Sequence, residues 1–243
     1  MFSSGIIPLL VISKKPLAYT FRIIFSSVLV SLYLGNLNNN STETNKKNNY
    51  IIDLSSSLKE DISQLQSLIN ILNESENLIV EIQNDLDNVN FNLNEDKIIN
   101  NILNIEVGFS FFPQDGVYNQ MISTGSFELI TNEDLKKNLL EMYNHQMARN
   151  YATSLEIDNF NLTFRAIPYE QFRIRFDYNL LDGDFYGKRK LTSYNFNDAY
   201  YKSGSFYGLL SQAKLYANMY RRQLSDILVS YEETILLCRQ EVM

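Results

Sequence analysis

One cysteine, one histidine, no tryptophan and four prolines set the first limits on this 243-residue chain. With Cys238 alone, no intrachain disulfide can form; a disulfide framework is excluded, while the compartment stays open. The single histidine, His145, follows Glu141 by one helical turn, and one His with one Glu is too few ligands for a stable zinc site. A Cys–His nucleophile pair would need Cys238 to meet His145, which no spacing supports. There is no glycine-rich phosphate loop, no CxxC, no HExxH and no Gly-x-Ser-x-Gly. The carboxylate pairs Glu133-Asp134 and Glu232-Glu233 are adjacent in sequence, so on a helix they diverge; capping explains the first and solvation the second. Asp182 and Asp184 flank Gly183 without the remaining ligands of a calcium loop. A basic excess is missing too: the net charge is −7, which gives a nucleic-acid role no electrostatic support. Lys188-Arg189-Lys190 is the one local basic cluster, and it reads as a solvated loop. The chain is therefore expected to be non-enzymatic, with no cofactor and no metal.

What is present begins with a long apolar run. Pro16 to Gly35, PLAYTFRIIFSSVLVSLYLG, carries one charge, Arg22. A bilayer core needs roughly 20 mostly apolar residues as a helix, the form that satisfies every backbone hydrogen bond within the segment. Its ten strongly apolar side chains contribute roughly −3 to −6 kcal/mol towards insertion, against about +2.5 to +3.5 kcal/mol for an arginine at the centre. Arg22 lies near the start, where its stem can reach towards Lys14 and Lys15. The run reads as one uncleaved transmembrane helix, because bulky Tyr33 occupies the −3 slot for cleavage after Gly35. Lys14, Lys15 and Arg22 put the N-terminus in the cytoplasm and everything downstream in the periplasm, across the inner membrane. Within the helix Ser27, Ser31 and Gly35 recur every four residues, a stripe that lets two membrane helices approach closely; the bland alternative is that serines are passengers in a single span.

The rest is organised by helical periodicity. Residues 1–15 form a short cytoplasmic tail, and 36–48 (NLNNNSTETNKKN) a polar linker or an extension of the membrane helix. From 49 to 243 an α-helical extracytoplasmic domain is expected. Ile51, Leu54, Leu58, Ile62, Leu65, Ile69 and Leu72 step by three and four, and the pattern resumes at Ile79, Ile82, Leu86 and Val89 after a polar break at 73–77. The flanks are mostly Ser, Asn and Gln, which favours two helices of a bundle over a coiled-coil stalk. Ile98 to Phe112 predicts a further helix ended by Pro113, and Val117 to Thr124 a short one stopped by Gly125. Thr131 with Asp134 predicts a helix start, and Pro168 bounds that helix. Phe172, Ile174, Phe176 and Tyr178 alternate with Arg173, Arg175 and Asp177, a strand-like pattern that makes a short β-hairpin near 170–190 the one exception to an all-α fold; a helix is the alternative. Phe206 through Cys238 predicts the longest element, able to close an antiparallel bundle against the first helix.

Together these residues resemble a family of small single-span proteins widespread in Bacteroidota, with an N-terminal membrane helix and an α-helical domain. The resemblance rests on Gly35-Asn-Leu-Asn-Asn-Asn40 at the end of the membrane helix. It rests also on Tyr118-Asn-Gln-Met-Ile-Ser-Thr-Gly125, on Leu129-Ile-Thr-Asn132, and on Leu135, Leu139 and Tyr143. The chain lacks the tryptophan usual near that helix end and carries Arg22 inside the span. The resemblance implies architecture and a membrane address, with no catalytic residue.

Two functions remain. The first is a membrane-anchored structural or protein-interaction module, whose partners are the lipid bilayer and either another protein or a second copy. Its interaction surface would be the aromatic group Phe172, Phe176, Tyr178, Phe185 and Tyr186, unless those rings simply pack the end of the bundle. The second is a ligand-sensing helical domain that acts through a separate signalling partner.

Overall fold

A computed structural model describes residues 15–87, 93–179 and 188–242, with side chains from residue 24 onwards except at 36–40, 179 and 188. The described chain is predominantly helical. It comprises α1 (Lys15–Leu86), α2 (Glu95–Asn104), α3 (Gly116–Ser123), a 3-10 turn (Ser126–Leu129), α4 (Glu133–Leu140), a π-helical segment (Glu141–Gln146), α5 (Met147–Gln171), β1 (Arg175–Asn179), β2 (Lys188–Ser193), α6 (Asp198–Tyr201) and α7 (Gly204–Val242). The expected hairpin is present, with β1 antiparallel to β2 and Phe176 opposite Leu191.

The frame is the antiparallel pair α1 and α7. In α1 the buried positions are Ile51, Leu54, Leu58, Asp61, Leu65, Leu68, Leu72, Ser75, Ile79 and Ile82. In α7 they include Phe206, Leu210, Ala213, Ala217, Tyr220, Leu224, Ile227, Tyr231, Thr234 and Cys238. Both stripes alternate steps of three and four, the seven-residue repeat of a coiled-coil seam. Lys47 with Glu241, Arg221 with Glu76, and Gln83 with Ser211 set the antiparallel register. This corrects four positions of the expected stripes: Ile62, Ile69, Leu209 and Tyr216 are only partly buried, and the seam runs instead through Asp61, Leu68, Leu210 and Ala217. A strict repeat keeps its phase even where the residue is polar.

Three further expectations are corrected. Of the two readings of 36–48 the helix extension is the one seen, and no break occurs at 73–77: α1 runs through both, and Ser75 turns inward to bond the Ile71 carbonyl (2.9 Å). The cap of α4 is Asn132, whose side chain accepts from the Leu135 N–H (3.1 Å), while Thr131 is held by Glu241. Pro168 lies inside α5, which ends three residues later, where Phe172 is followed by Arg173 at a positive φ of 47°.

The largest departure is at Ile98 to Phe112. Helix α2 stops at Asn104, and 105–114 runs extended down the bundle between α1, α5 and α7. Gly108 sits in the middle of that stretch, where it disfavours a helix and permits the close approach seen here. A Cβ on it would fall 2.5 Å from Ile157 Cγ2 and 3.1 Å from the Tyr220 ring. Ser75 meets residue 106 and Asp61 meets residue 114, so eight extended residues cover the rise of fourteen helical ones, roughly 26 Å against roughly 21 Å. The bundle is thus three helical staves and one extended stave.

An extended segment without a strand partner leaves backbone groups to be satisfied. Side chains do this. The N–H of Glu106 donates to Ser75 Oγ (2.8 Å) and that of Val107 to Asn161 Oδ1 (3.3 Å). The Gly108 carbonyl accepts from Asn161 Nδ2 (3.0 Å). The N–H of Phe111 donates to the Tyr220 hydroxyl (3.0 Å), and its carbonyl accepts from Asn150 Nδ2 (2.8 Å). At Gln114 the N–H donates to Asp61 Oδ2 (3.0 Å) and the carbonyl accepts from the Tyr143 hydroxyl (3.3 Å).

α4, the π segment and α5 form one continuous rod antiparallel to α7, with Gln146 bonded to Ser230 (2.8 Å) and Tyr216 to Glu156 (2.8 Å). Its buried stripe runs Leu135, Leu139, Met142, then restarts one residue late at Asn150, Ser154, Ile157, Asn161 and Phe164. The π turn inserts that one residue and brings Asn150 and Asn161 to the extended stave.

Burial pushes the Asp61 carboxyl up to about 6, with the charge of Glu60 adding and the Gln114 hydrogen bonds opposing. An unfolded aspartate ionises near pH 3.9, so the native state holds its proton more tightly. Stability from this group is present below about pH 4 and is lost as pH rises through about 6, by about 1–3 kcal/mol. Asp61→Asn keeps an acceptor for the Gln114 N–H and should gain that much on the wild type between about pH 4 and pH 7.5. Urea unfolding of both across that range checks it; a difference independent of pH removes Asp61 as the source.

Among the described residues no helix is long and apolar enough to cross a membrane. Of the expected span 16–35, the side chains of 16–23 lie outside the described residues, as does the tail 1–14.

Candidate functional site

The residues singled out in the sequence fall in three places. Ser27, Ser31 and Gly35 lie on the part of α1 that projects beyond the bundle, all exposed, and nothing comes within 4 Å of a Cβ built on Gly35. Around them Ile24, Phe25, Val28, Leu29, Val30, Leu32, Tyr33 and Leu34 are each at least half exposed. Phe172 belongs to the opposite end and is not a surface residue. It is fully buried, its ring 5.4 Å from Phe196, 5.6 Å from Tyr200 and 5.8 Å from Phe206. The aromatic surplus there is a core closing the bundle where α6 and α7 meet the end of α5. Phe176 is half-buried against Tyr169 (5.4 Å) and Tyr178 is exposed, while Phe185, Tyr186 and the Asp182-Gly183-Asp184 turn lie outside the described residues. His145 and Glu141 are exposed on the π segment, and Cys238 is buried in the α1–α7 seam.

The densest buried electrostatic cluster lies under the hairpin. The Glu106 carboxylate pairs with both Arg165 and Arg189. Arg189 also donates to the Leu103 carbonyl (2.8 Å) and the Tyr169 hydroxyl (2.9 Å), and Arg165 lies 5.5 Å over the Phe109 ring. Burial lowers the Arg165 pKa. The expected solvated loop is corrected here: Arg189 is the bolt that fastens β2 to the extended stave. Because every charge in the cluster faces another protein group, its chemistry is that of a brace. Tyrosines follow the same pattern further out, Tyr201 donating to Asp85 (2.6 Å) and Tyr194 to Asp96 (2.7 Å). No group of three or more His, Cys, Asp or Glu side chains that could hold a metal occurs among the described residues.

The other end of the bundle is where α1 leaves it. There Glu241, on the last turn of α7, pairs with Lys47 and accepts from the N–H groups of Thr131 (3.0 Å) and Asn132 (2.8 Å). Burial works to raise the Glu241 carboxyl, but Lys47 and these N–H donors outweigh it and hold it below its usual value. One charge thus ties α1, α7 and the start of α4 together. Beside this clasp, between α1 and α7, lies an open apolar groove of about 450 Å³ lined by Ile51, Ile52, Ser55, Lys59, Cys238, Arg239 and Val242. Burial pushes the Cys238 thiol up to about 12, with the charge of Glu241 adding. A second, more polar cavity of about 250 Å³ lies between the π segment and α7, lined by Gln146, Arg149, Arg222, Gln223 and Asp226 among others.

Compared with family models, curated proteins and solved structures, the chain matches none.

Proposed function

We propose that this is a membrane-anchored, non-enzymatic interaction module: a helical bundle carried on a helix whose apolar part enters a bilayer. One observation carries the reading. Residues 24–35 are apolar around most of the helix circumference and exposed, in the same unbroken helix that becomes a well-packed bundle stave after Lys47. A helix that is apolar all round needs an apolar surrounding, and the bundle does not supply it. Lipid does. The positive charges at 14, 15 and 22 favour an N-terminus in the cytoplasm and a bundle in the periplasm at the inner membrane. The resemblance to the Bacteroidota single-span family supports the same arrangement. Residues 36–46, exposed where described and polar, then serve as a stalk that holds the bundle off the bilayer. Its recognition surfaces are protein-facing: the hairpin with Tyr178 and the outer bundle faces, for an unidentified partner or a second copy.

The groove beside the Lys47–Glu241 clasp favours a second reading, a ligand-sensing bundle that acts through a separate signalling partner, since a ligand there would touch both helices at the point where the stalk begins.

The anchor is tested by alkaline extraction of membranes from cells making the full chain. The wild type is expected in the membrane pellet. Replacing Val28, Leu29 and Leu32 together by Lys should move it to the soluble fraction, since each buried charge costs about 2.5–3.5 kcal/mol at the centre of a span. Recovery of the wild type in the soluble fraction ends the membrane proposal.

A further inference from the structure

We infer that the groove beside the clasp is a binding site for a single-chain anionic amphiphile of the fatty-acid class. The inference does not rest on the membrane anchor, because the groove lies wholly between α1 and α7 within the bundle.

Two features specify the ligand. The floor is apolar: Ile51 and Cys238 are buried at its base, Val242 is partly buried, and Ile52 lies 55% exposed. The rim is cationic: Lys59 from α1 and Arg239 from α7 are exposed, and neither has a carboxylate within ion-pair distance among the described residues. Both line the same apolar trough, one from each helix, so the rim offers two positive charges to a ligand seated in it. A hydrocarbon tail along Ile52 and Val242, with its carboxylate between Lys59 and Arg239, satisfies both features with charge-assisted hydrogen bonds.

The same features argue against other occupants. A second copy docking by two-fold symmetry would set Lys59 and Arg239 against the same two cations, a like-charge contact. The volume, about 450 Å³, is that of a small-molecule site.

The test uses the full chain, in phosphatidylcholine nanodiscs if it is recovered with membranes and in buffer if it is recovered soluble, and a fatty acid carrying a diazirine in its tail, with mass spectrometry of the photolabelled peptides. Saturable labelling near Ile52 and Val242, displaced by dodecanoate but not by dodecyltrimethylammonium, is the expected result. Lys59→Glu with Arg239→Glu should weaken it about tenfold or more, while Lys59→Arg with Arg239→Lys retains it. Ile52→Glu should remove it with the helical content unchanged. Equal displacement by the two detergents, labelling confined to 24–35, or indifference to the charge reversal overturns the proposal. A concentration-dependent dimer abolished by Ile52→Glu would assign the groove to a second copy instead and overturn it equally.

Discussion

Glu106→Ala is expected to cost about 3–5 kcal/mol of unfolding free energy, one of the two largest single-residue losses anticipated in the bundle. Its carboxylate is buried and pairs with two arginines at once, so its removal leaves two guanidinium groups beside each other with no counter-charge. Arg165 already feels the cost of burial, and Arg189 keeps only neutral partners, the Leu103 carbonyl and the Tyr169 hydroxyl. The cost falls in two places. Globally, the extended stave loses its charged anchor to α5; locally, the hairpin loses its bolt, so amides of β1 and β2 should exchange faster than the global loss alone explains. Glu106→Gln preserves the shape and an acceptor oxygen and should fall between the wild type and Ala. Because the cluster is shielded, the loss should vary little with salt, unlike that of an exposed pair. Urea unfolding with an unchanged m-value would measure it; a loss below about 1 kcal/mol would show that Glu106 is dispensable.

How much of this was legible in the sequence follows from what each element's pattern is made of. α7 was legible because its stripe is apolar or aromatic at nearly every step, and the first strand of the hairpin because Ile174, Phe176 and Tyr178 alternate with Arg173, Arg175 and Asp177; the second strand, Lys188–Ser193, was hidden by its basic start. The polar members of the seam in α1 were not. Lys47, Asp61 and Ser75 recur at fourteen-residue spacing, at positions that should be apolar, and a search for apolar residues steps aside to Ile62 and Ile69. Each earns its place only in three dimensions, through Glu241, Gln114 and Glu106. The extended stave was the decisive omission. The helical pattern of 98–104 was carried on too far: Ile105, Val107, Phe109 and Phe111 alternate with Glu106, Gly108 and Ser110, a period-two signal of extended chain that the apolar content of the whole stretch concealed. Without the stave, Asn150 and Asn161 read as ordinary polar helix residues, and the purpose of the buried amides stayed hidden. Phe172 was misplaced for a related reason. A surplus of aromatic residues shows that something is covered, and only the positions of Phe196, Tyr200 and Phe206 show that the cover is the protein itself.

Asn161→Ala is the second large effect, an expected loss of about 3 kcal/mol or more. One amide serves two backbone groups of the stave, accepting from the Val107 N–H and donating to the Gly108 carbonyl, and it also reaches Glu106 Oε2 (3.4 Å). Truncation leaves a donor and an acceptor unpaired where water does not reach, each costing about 1–3 kcal/mol. The stave cannot move away to compensate, because Gly108 is already packed against Ile157 and the Tyr220 ring as closely as a backbone without a side chain allows. Asn161→Asp separates hydrogen bonding from volume. The carboxylate still accepts from Val107, but it offers no N–H to Gly108 and brings a second negative charge to Glu106, so it should destabilise at least as much as Ala. An ordinary space-filling residue would give the opposite order, since Asp nearly matches the size of Asn. Thermal or urea unfolding of the two variants therefore decides whether Asn161 is a backbone partner for the extended stave, and an Asp variant close to the wild type would show that it is not.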